Sequence, residues 1–302
     1  PTGAQIDAAL AAAADPRDVA AAYDEAEASR LWADLGAPDT PLFPWDAAST
    51  YIRRPPFAAM DAGNRLGRYA ARPLLVLGDD ITTDHISPAG AIPAASEAGR
   101  WLTARGENPR DLNVFSSRRG NWEVMLRGLF TNRNVVNLLG EAIPPGSTIL
   151  PDGEVLPLWQ AAARYREAGE AVVIVAGDRY GMGSSRDWAA KGAALLGARA
   201  VLAASFERIH RANLIGMGVL PLRLPQGVTP QTLALTVHDM VEIDADPARI
   251  TPRGEVPVTI RYADGRTARF TATAAIETSL EVETLLRGGL LPLILRRVTG
   301  TA

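Results

Sequence analysis

Residues 171–214 constrain the fold more than any other part of the chain. An apolar run at 171–176 (Ala-Val-Val-Ile-Val-Ala) meets a glycine-rich segment at 177–185. A helix-forming stretch follows at 186–196, then a second apolar run at 200–204 and a second helical stretch at 206–214. Six apolar residues ended by glycine read as a buried strand, and β-branched Val and Ile favour that backbone. Strand, helix, strand in this order predicts two parallel strands joined by a right-handed crossover. Residues 74–78 (Leu-Leu-Val-Leu-Gly) predict another buried strand, followed by a polar loop from Asp79 to Pro88. Near the C-terminus, 256–262 and 267–273 flank Ala263-Asp264-Gly265-Arg266, and Asp-Gly between two β-prone runs predicts a hairpin. The class is therefore α/β, a mixed sheet flanked by helices.

Ahead of this lies a different kind of sequence. Residues 8–35 are alanine-rich with scattered carboxylates, which predicts one or two helices broken at Asp15-Pro16. Between 36 and 67 the composition shifts to Pro38, Pro41, Pro44, Trp45, Tyr51, Pro55, Pro56 and Phe57. So many prolines forbid a continuous helix, while the aromatics need something to bury against, so the segment should run extended across a neighbouring surface. The expected organisation is a helical segment and Pro/aromatic linker arm at 1–70, then one α/β domain at 71–302.

Composition narrows the chemistry. The 302 residues include no cysteine, which excludes a disulfide, a thiolate zinc site, a cysteine nucleophile and an iron-sulfur cluster held by this chain alone. The net charge of -3 argues against a general nucleic-acid scaffold, although Lys191 is the only lysine among 31 basic residues and local arginine clusters remain. No apolar run approaches the roughly 20 residues needed to cross a bilayer. The first residues show no basic region followed by an apolar one, so a cytoplasmic location is expected.

Three segments are candidates to carry chemistry. Residues 181–187 (Gly-Met-Gly-Ser-Ser-Arg-Asp) lie between a buried strand and a helix. Glycines there permit a sharp turn and close approach to a ligand, the helix start offers unpaired N–H groups, and Ser184, Ser185 and Arg186 add donors. The same spacing also suits a serine that merely caps the helix with Arg186 in solvent. It is neither a Walker loop nor a G-x-G-x-x-G fingerprint. At 116–121 (Ser-Ser-Arg-Arg-Gly-Asn), adjacent Arg118 and Arg119 suit a carboxylate clamp, a solvated pair or, with Arg127 and Arg133, an RNA backbone. The third segment, Thr83-Asp84-His85-Ile86-Ser87, follows a strand, where polar loops often build sites in α/β folds. His85, His210 and His238 are too far apart for a metal motif, so no metal ligands are predicted and the histidines read as satisfied structural residues. No His-Asp pair stands ready to activate a serine, which disfavours a hydrolase triad. Arginines beside hydroxyls instead suit a substrate with several carboxylates.

Together these segments resemble the C-terminal swivel domain of the aconitase family, in its aconitase A and iron-regulatory-protein branch. The resemblance rests on 78–90 (Gly-Asp-Asp-Ile-Thr-Thr-Asp-His-Ile-Ser-Pro-Ala-Gly), 117–121 with Met125 and Arg127-Gly128, 180–192, 206–211 and 213–218. The arm around Phe43-Pro44-Trp45-Asp46, 49–52 and Pro55-Pro56-Phe57 is similar to the linker ahead of that domain. Likeness thus extends from about Leu42 to Arg297. It implies a swivelling β/β/α domain, and a hydro-lyase that interconverts citrate and isocitrate through cis-aconitate with a [4Fe-4S] cluster. It further implies Ser184 as the base at carbon and Asp84 in a supporting proton-transfer or orienting role. Arg119, Ser185 and Arg186 would hold substrate carboxylates, and Thr83 and Ser87 would line the site.

Because cluster ligation needs cysteines that this sequence lacks, the resemblance implies that they lie outside the chain. The chain is then expected to be silent alone, as a segment of a longer enzyme or a small subunit docking on a cluster-bearing large one. Two departures from the family pattern, Val114-Phe115-Ser116 and 276–282, leave room for a 2-methylcitrate or 2-methylisocitrate dehydratase, since one methyl discriminates by only ~1–3 kcal/mol. Cluster-free relatives that bind RNA through an opened cleft supply the alternative of a regulator, and no membrane partner is expected.

Overall fold

The computed structural model describes residues 1–36, 39–59 and 63–300. They form two compact units, Pro1–Trp45 and Asp46–Ala302. In the first, helices Gly3–Ala13, Pro16–Glu27 and Arg30–Ala33 follow one another, with no buried residue in any of them. Capping and propensity set their ends. Thr2 and Gln5 form a reciprocal capping box, and Asp15 accepts from the Arg17 amide while Pro16 takes the first helical position. The predicted break at Asp15-Pro16 is therefore a helix start with its cap. Pro38 lies outside the described residues.

The second unit is built on nine strands among the described residues: β1 Gly67–Val76, β2 Ser147–Ile149, β3 Val155–Pro157, β4 Ala171–Ala176, β5 Ala198–Ala203, β6 Leu220–Arg223, β7 Met240–Ala245, β8 Glu255–Arg261 and β9 Thr267–Ala274. Seven close into a barrel in the order β1-β4-β5-β6-β9-β8-β7, while β2 and β3 form a separate hairpin. Neighbours from β1 through β6 are parallel, and the remaining pairs, including β7 back to β1, are antiparallel.

Sequence pattern follows this division. The parallel strands are almost wholly apolar because both of their faces are covered. Val172, Ile174, Val201 and Ala203 join Leu158, Ala161, Tyr165, Ala190 and Ala193 of the helices Leu158–Glu167 and Trp188–Leu195. Val173, Val175, Ala200 and Leu202 point the other way, meeting Val241, Ile243, Val258 and Ile260 in the barrel interior. The antiparallel β7 alternates buried and part-buried positions, as a strand with one solvated face should. In β1 the register shifts between Pro73 and Leu75. Pro73 has no N–H for the ladder, and the irregularity lets Leu74 and Leu75 both enter the helix-side core.

Between β1 and β4 an insertion forms a third core. Trp101 and Leu102 of the helix Glu97–Thr103 pack with Phe115, with Val124 and Met125 of the helix Trp122–Arg127, and with Trp188. The arm from residue 49 runs across this insertion, as its aromatics and prolines predict. The Arg53 amide donates to Gly120 O at 2.9 Å, and the Thr50 carbonyl accepts from Asn121 Nδ2 at 2.7 Å. No helix among the described residues is long and apolar enough to cross a membrane.

Candidate active site

Parallel pairing brings the carboxyl ends of β1 and β4 to one edge of the barrel, and the two predicted loops leave from there. Beyond the strands the loops stay bonded. Asp80 N donates to Asp178 O at 2.9 Å, Gly181 N to Ile81 O at 2.7 Å, and Thr83 N to Met182 O at 2.8 Å. Arg179 grips Asp80 through two parallel bonds, Nε to Oδ1 at 2.6 Å and NH2 to Oδ2 at 2.7 Å. That grip holds the exposed Asp80 carboxyl below its ordinary pKa. The helical turn Thr83–Ile86 starts with Thr82 as its cap, whose hydroxyl accepts from His85 N while His85 Nδ1 accepts from Thr82 N. These contacts make one rigid unit of two loops about 100 residues apart in sequence.

Thr83, Asp84, Ser87 and Arg186 come together within this unit. The Arg186 side chain, only 9% exposed, donates to Ser87 O at 2.6 Å and to Asp84 Oδ1 at 2.5 Å. It is therefore a clamp between loops and not a solvated arginine. Thr83 and Ser87 are buried, and their hydroxyl oxygens have no hydrogen-bond partner among the described residues, nor has Arg186 Nε. Buried polar atoms left unpaired cost stability unless something else meets them. Here Arg186 follows the exposed serines directly, and Thr83 and Ser87 lie in the loop bonded to that turn.

Ser184 and Ser185 are exposed and make no hydrogen bond to any described residue. The helix behind them starts at Trp188 with Asp187 in the capping position, so neither serine is its cap. The turn that lifts them out needs glycine at both earlier positions, with φ of 88° at Gly181 and 103° at Gly183. A Cβ on Gly181 would overlap the ring of His210, while one on Gly183 would reach 3.4 Å from Thr83 Oγ1. At Gly183 the positive φ and not lack of space calls for glycine, since a Cβ would meet the buried Thr83 hydroxyl at ordinary contact distance.

The two neighbouring arginines have different fates. Arg118 is fully buried, with Nε donating to Leu112 O at 2.9 Å, NH1 to Thr50 O at 3.2 Å and NH2 to Glu107 Oε2 at 3.2 Å, and its guanidinium lies 4.0 Å from the Tyr51 ring centre. It is a strut that ties the arm to the insertion. Glu107, which also accepts from the Thr50 hydroxyl, is held below its ordinary pKa by these two partners. Arg119 ends the 3-10 helix Phe115–Arg118 and is exposed, with no partner among the described residues. Its segment is bonded to the loop beyond Ser87, Phe115 N to Gly90 O at 2.9 Å and Ser116 N to Ala89 O at 3.2 Å, but it makes no bond with the serine turn.

The histidines are not alike. His85 is paired and His238 is exposed, whereas His210 is buried with both ring nitrogens unpartnered, which corrects the expectation of satisfied histidines for that residue. Burial depresses the His210 pKa to about 4. Neither Tyr180, Arg179 nor His210 was singled out by sequence as part of the site. Tyr180 and His210 fall in segments that carry the family resemblance, and all three flank or follow the glycine turn.

Residues 98–227 match the family described as the Aconitase C-terminal domain. The chain is 46% identical over 299 residues to aconitate hydratase A of Thermus thermophilus, a match covering 98% of this chain and 33% of that protein. It is 44% identical over 276 residues to aconitate hydratase A of Escherichia coli, covering 90% and 31%. Phosphinomethylmalate isomerase of Streptomyces viridochromogenes is 44% identical over 307 residues, covering 100% and 34%. The chain belongs to the aconitase family. It spans about a third of the length of the curated relatives it matches.

A [4Fe-4S] cluster, the cofactor implied by aconitase-family membership, does not fit the residues of this chain. There is no cysteine, and no group of three or more His, Cys, Asp or Glu side chains among the described residues could hold a metal ion. What this aconitase-family chain does offer is two exposed hydroxyls on a glycine turn beside an arginine clamped to an exposed carboxylate, and a free arginine on the segment bonded to the loop beyond Ser87.

Proposed function

We propose that this chain forms one wall of a hydro-lyase site for a hydroxy-tricarboxylate, interconverting citrate and isocitrate through cis-aconitate, with the [4Fe-4S] cluster ligated by cysteines outside the chain. The observation that carries the reading is the Ser184 hydroxyl. It stands free on a turn fixed by two positive-φ glycines and bonded to the loop that bears Thr83, Asp84 and Ser87. A hydroxyl held in place without a partner inside the protein is available to a ligand.

In this reading Ser184 acts in its deprotonated form: its oxygen takes the proton from the substrate carbon and returns to the neutral hydroxyl, and the electron pair left behind forms the double bond as the substrate hydroxyl departs. Protonation of that leaving hydroxyl falls to groups outside the chain. Ser185, Arg119 and Arg186 hold carboxylates, with Arg119 free to pair bidentately. Asp84, ion-paired to Arg186 but exposed, orients that guanidinium and thereby the carboxylate it meets. Thr83 and Ser87 supply hydroxyls that reach the ligand or a water beneath it. The barrel from Gly67 onward with its helices would make up the swivelling domain, preceded by the arm.

Similarity to a phosphinomethylmalate isomerase, nearly as high as to aconitate hydratases, supports defining the substrate at the level of a hydroxy-polycarboxylate, which leaves 2-methylcitrate within the class. The test is Ser184→Ala in the assembled, cluster-loaded enzyme. Turnover should fall by at least about 10²-fold with the cluster absorbance unchanged. Wild-type turnover in that variant would remove Ser184 from the chemistry and with it this reading.

A further inference from the structure

His210 lies on the helix Arg208–Gly216 directly behind the serine turn and is 1% exposed. Its ring centre is 5.1 Å from that of Tyr180 in an edge arrangement, and Tyr180 in turn meets Phe206 edge-on at 6.2 Å. The backbone locks the same region. Tyr180 N donates to Ser205 O at 3.0 Å and Glu207 N to Tyr180 O at 2.9 Å, while Glu207 caps the helix by accepting from Ile209 N and His210 N. The imidazole fills the space where a side chain at position 181 would otherwise sit. It is therefore the floor of the turn whose far end presents Ser184.

Packing alone does not account for an imidazole there. A neutral imidazole carries one donor and one acceptor, and both are buried here without a partner. A phenyl ring would fill much the same volume without leaving polar atoms unmet. Burial keeps the ring neutral, so it makes no ion pair with the nearby Glu207. The backbone packed against the ring is that of Gly181; in this turn Gly181 N and Met182 O are already bonded to Ile81 O and Thr83 N, while Gly181 O and the N–H groups of Met182 and Gly183 have no backbone partner among the described residues.

We propose that His210 is a positioning residue for the Ser184 turn: its neutral imidazole takes up a hydrogen bond with the backbone at 181–183 when a polycarboxylate is bound, and so fixes Ser184 in register. This rests on the proposed hydro-lyase reading and adds to it a residue that touches neither substrate nor cofactor. The imidazole acts as a latch, unpaired in the resting turn and paired in the engaged one. That also explains why the position carries a polar ring at the cost of two unpaired atoms.

The test compares His210→Phe and His210→Gln with Ser184→Ala in the assembled, cluster-loaded enzyme. His210→Phe should keep or raise the melting temperature yet lower kcat by on the order of 10–100-fold, with KM changing by less than about threefold. His210→Gln, which retains a donor and an acceptor, should recover part of the lost kcat. A His210→Phe enzyme with wild-type kcat overturns the proposal, as does a kcat loss that His210→Gln shares in full. If His210→Phe does not fold, the wild-type enzyme decides: the His210 imidazole nitrogen resonances should shift when tricarballylate, a non-reacting tricarboxylate, is added. Unshifted resonances at saturating tricarballylate reject the latch. Should Ser184→Ala remain active, the hydro-lyase reading itself fails. Should Ser184→Ala be inactive while His210→Phe behaves as wild type, only the latch fails.

Discussion

Gly181→Ala tests how tightly the site turn is built. Gly181 has φ 88°, and its missing Cβ would overlap three atoms of the buried His210 side chain, two of them in the ring. Two costs add. An L residue forced into a left-handed backbone pays roughly 1–2 kcal/mol, and a methyl pushed into a packed interior pays about 1–3 kcal/mol more. His210 has nowhere to withdraw, since Tyr180 packs on its edge and both residues are pinned by backbone bonds. A destabilisation of about 2–5 kcal/mol is therefore expected. Gly169 serves as the control, because it has φ 70° with open space around its would-be Cβ, so Gly169→Ala should show the backbone cost alone. Urea unfolding followed by far-ultraviolet circular dichroism measures both. A Gly181→Ala penalty no larger than that of Gly169→Ala would mean that the ring gives way easily, and the rigid floor beneath the serine turn would not exist.

Other perturbations separate structural from functional groups. Arg118→Met leaves Glu107 without its buried partner and the Leu112 carbonyl without its donor, so a loss of about 1–3 kcal/mol in urea unfolding is expected. Arg119→Ala should change stability by less than about 0.5 kcal/mol while weakening tricarballylate binding to the assembled enzyme, measured by calorimetry. His210 also gives a pH signature. Its folded pKa, about 4, lies below the unfolded value, so the unfolded chain binds the proton first. That contribution is complete above the unfolded pKa near 6.5 and is lost as pH falls toward 4, at up to about 1.4 kcal/mol per unit, and His210→Phe should flatten the stability profile across that window.

Much of the framework was legible because it is encoded locally. The apolar run at 171–176 is β4, the run at 200–204 overlaps β5, which spans Ala198–Ala203, and the Asp-Gly turn joins β8 to β9. Burial period and turn chemistry are properties of adjacent residues, and they survive tertiary context here. Barrel closure was not legible, because it depends on β1 pairing with β7, Gly67 opposite Ala245, and no local pattern specifies a partner that distant.

At the site the division is sharper. Sequence alone placed Ser184, Ser185 and Arg186 on a glycine turn, and Thr83, Asp84 and Ser87 on the loop after the first strand of the core. It did not decide whether the serines cap a helix, which of Arg118 and Arg119 turns inward, or whether Arg186 meets solvent. Those outcomes rest on partners far along the chain. Arg186 is held by Ser87, 99 residues away, and Arg118 by Thr50, 68 residues away. The backbone conformation of a short segment follows from its own side chains, whereas the direction and pairing of a single charged group follow from whatever the completed fold brings beside it.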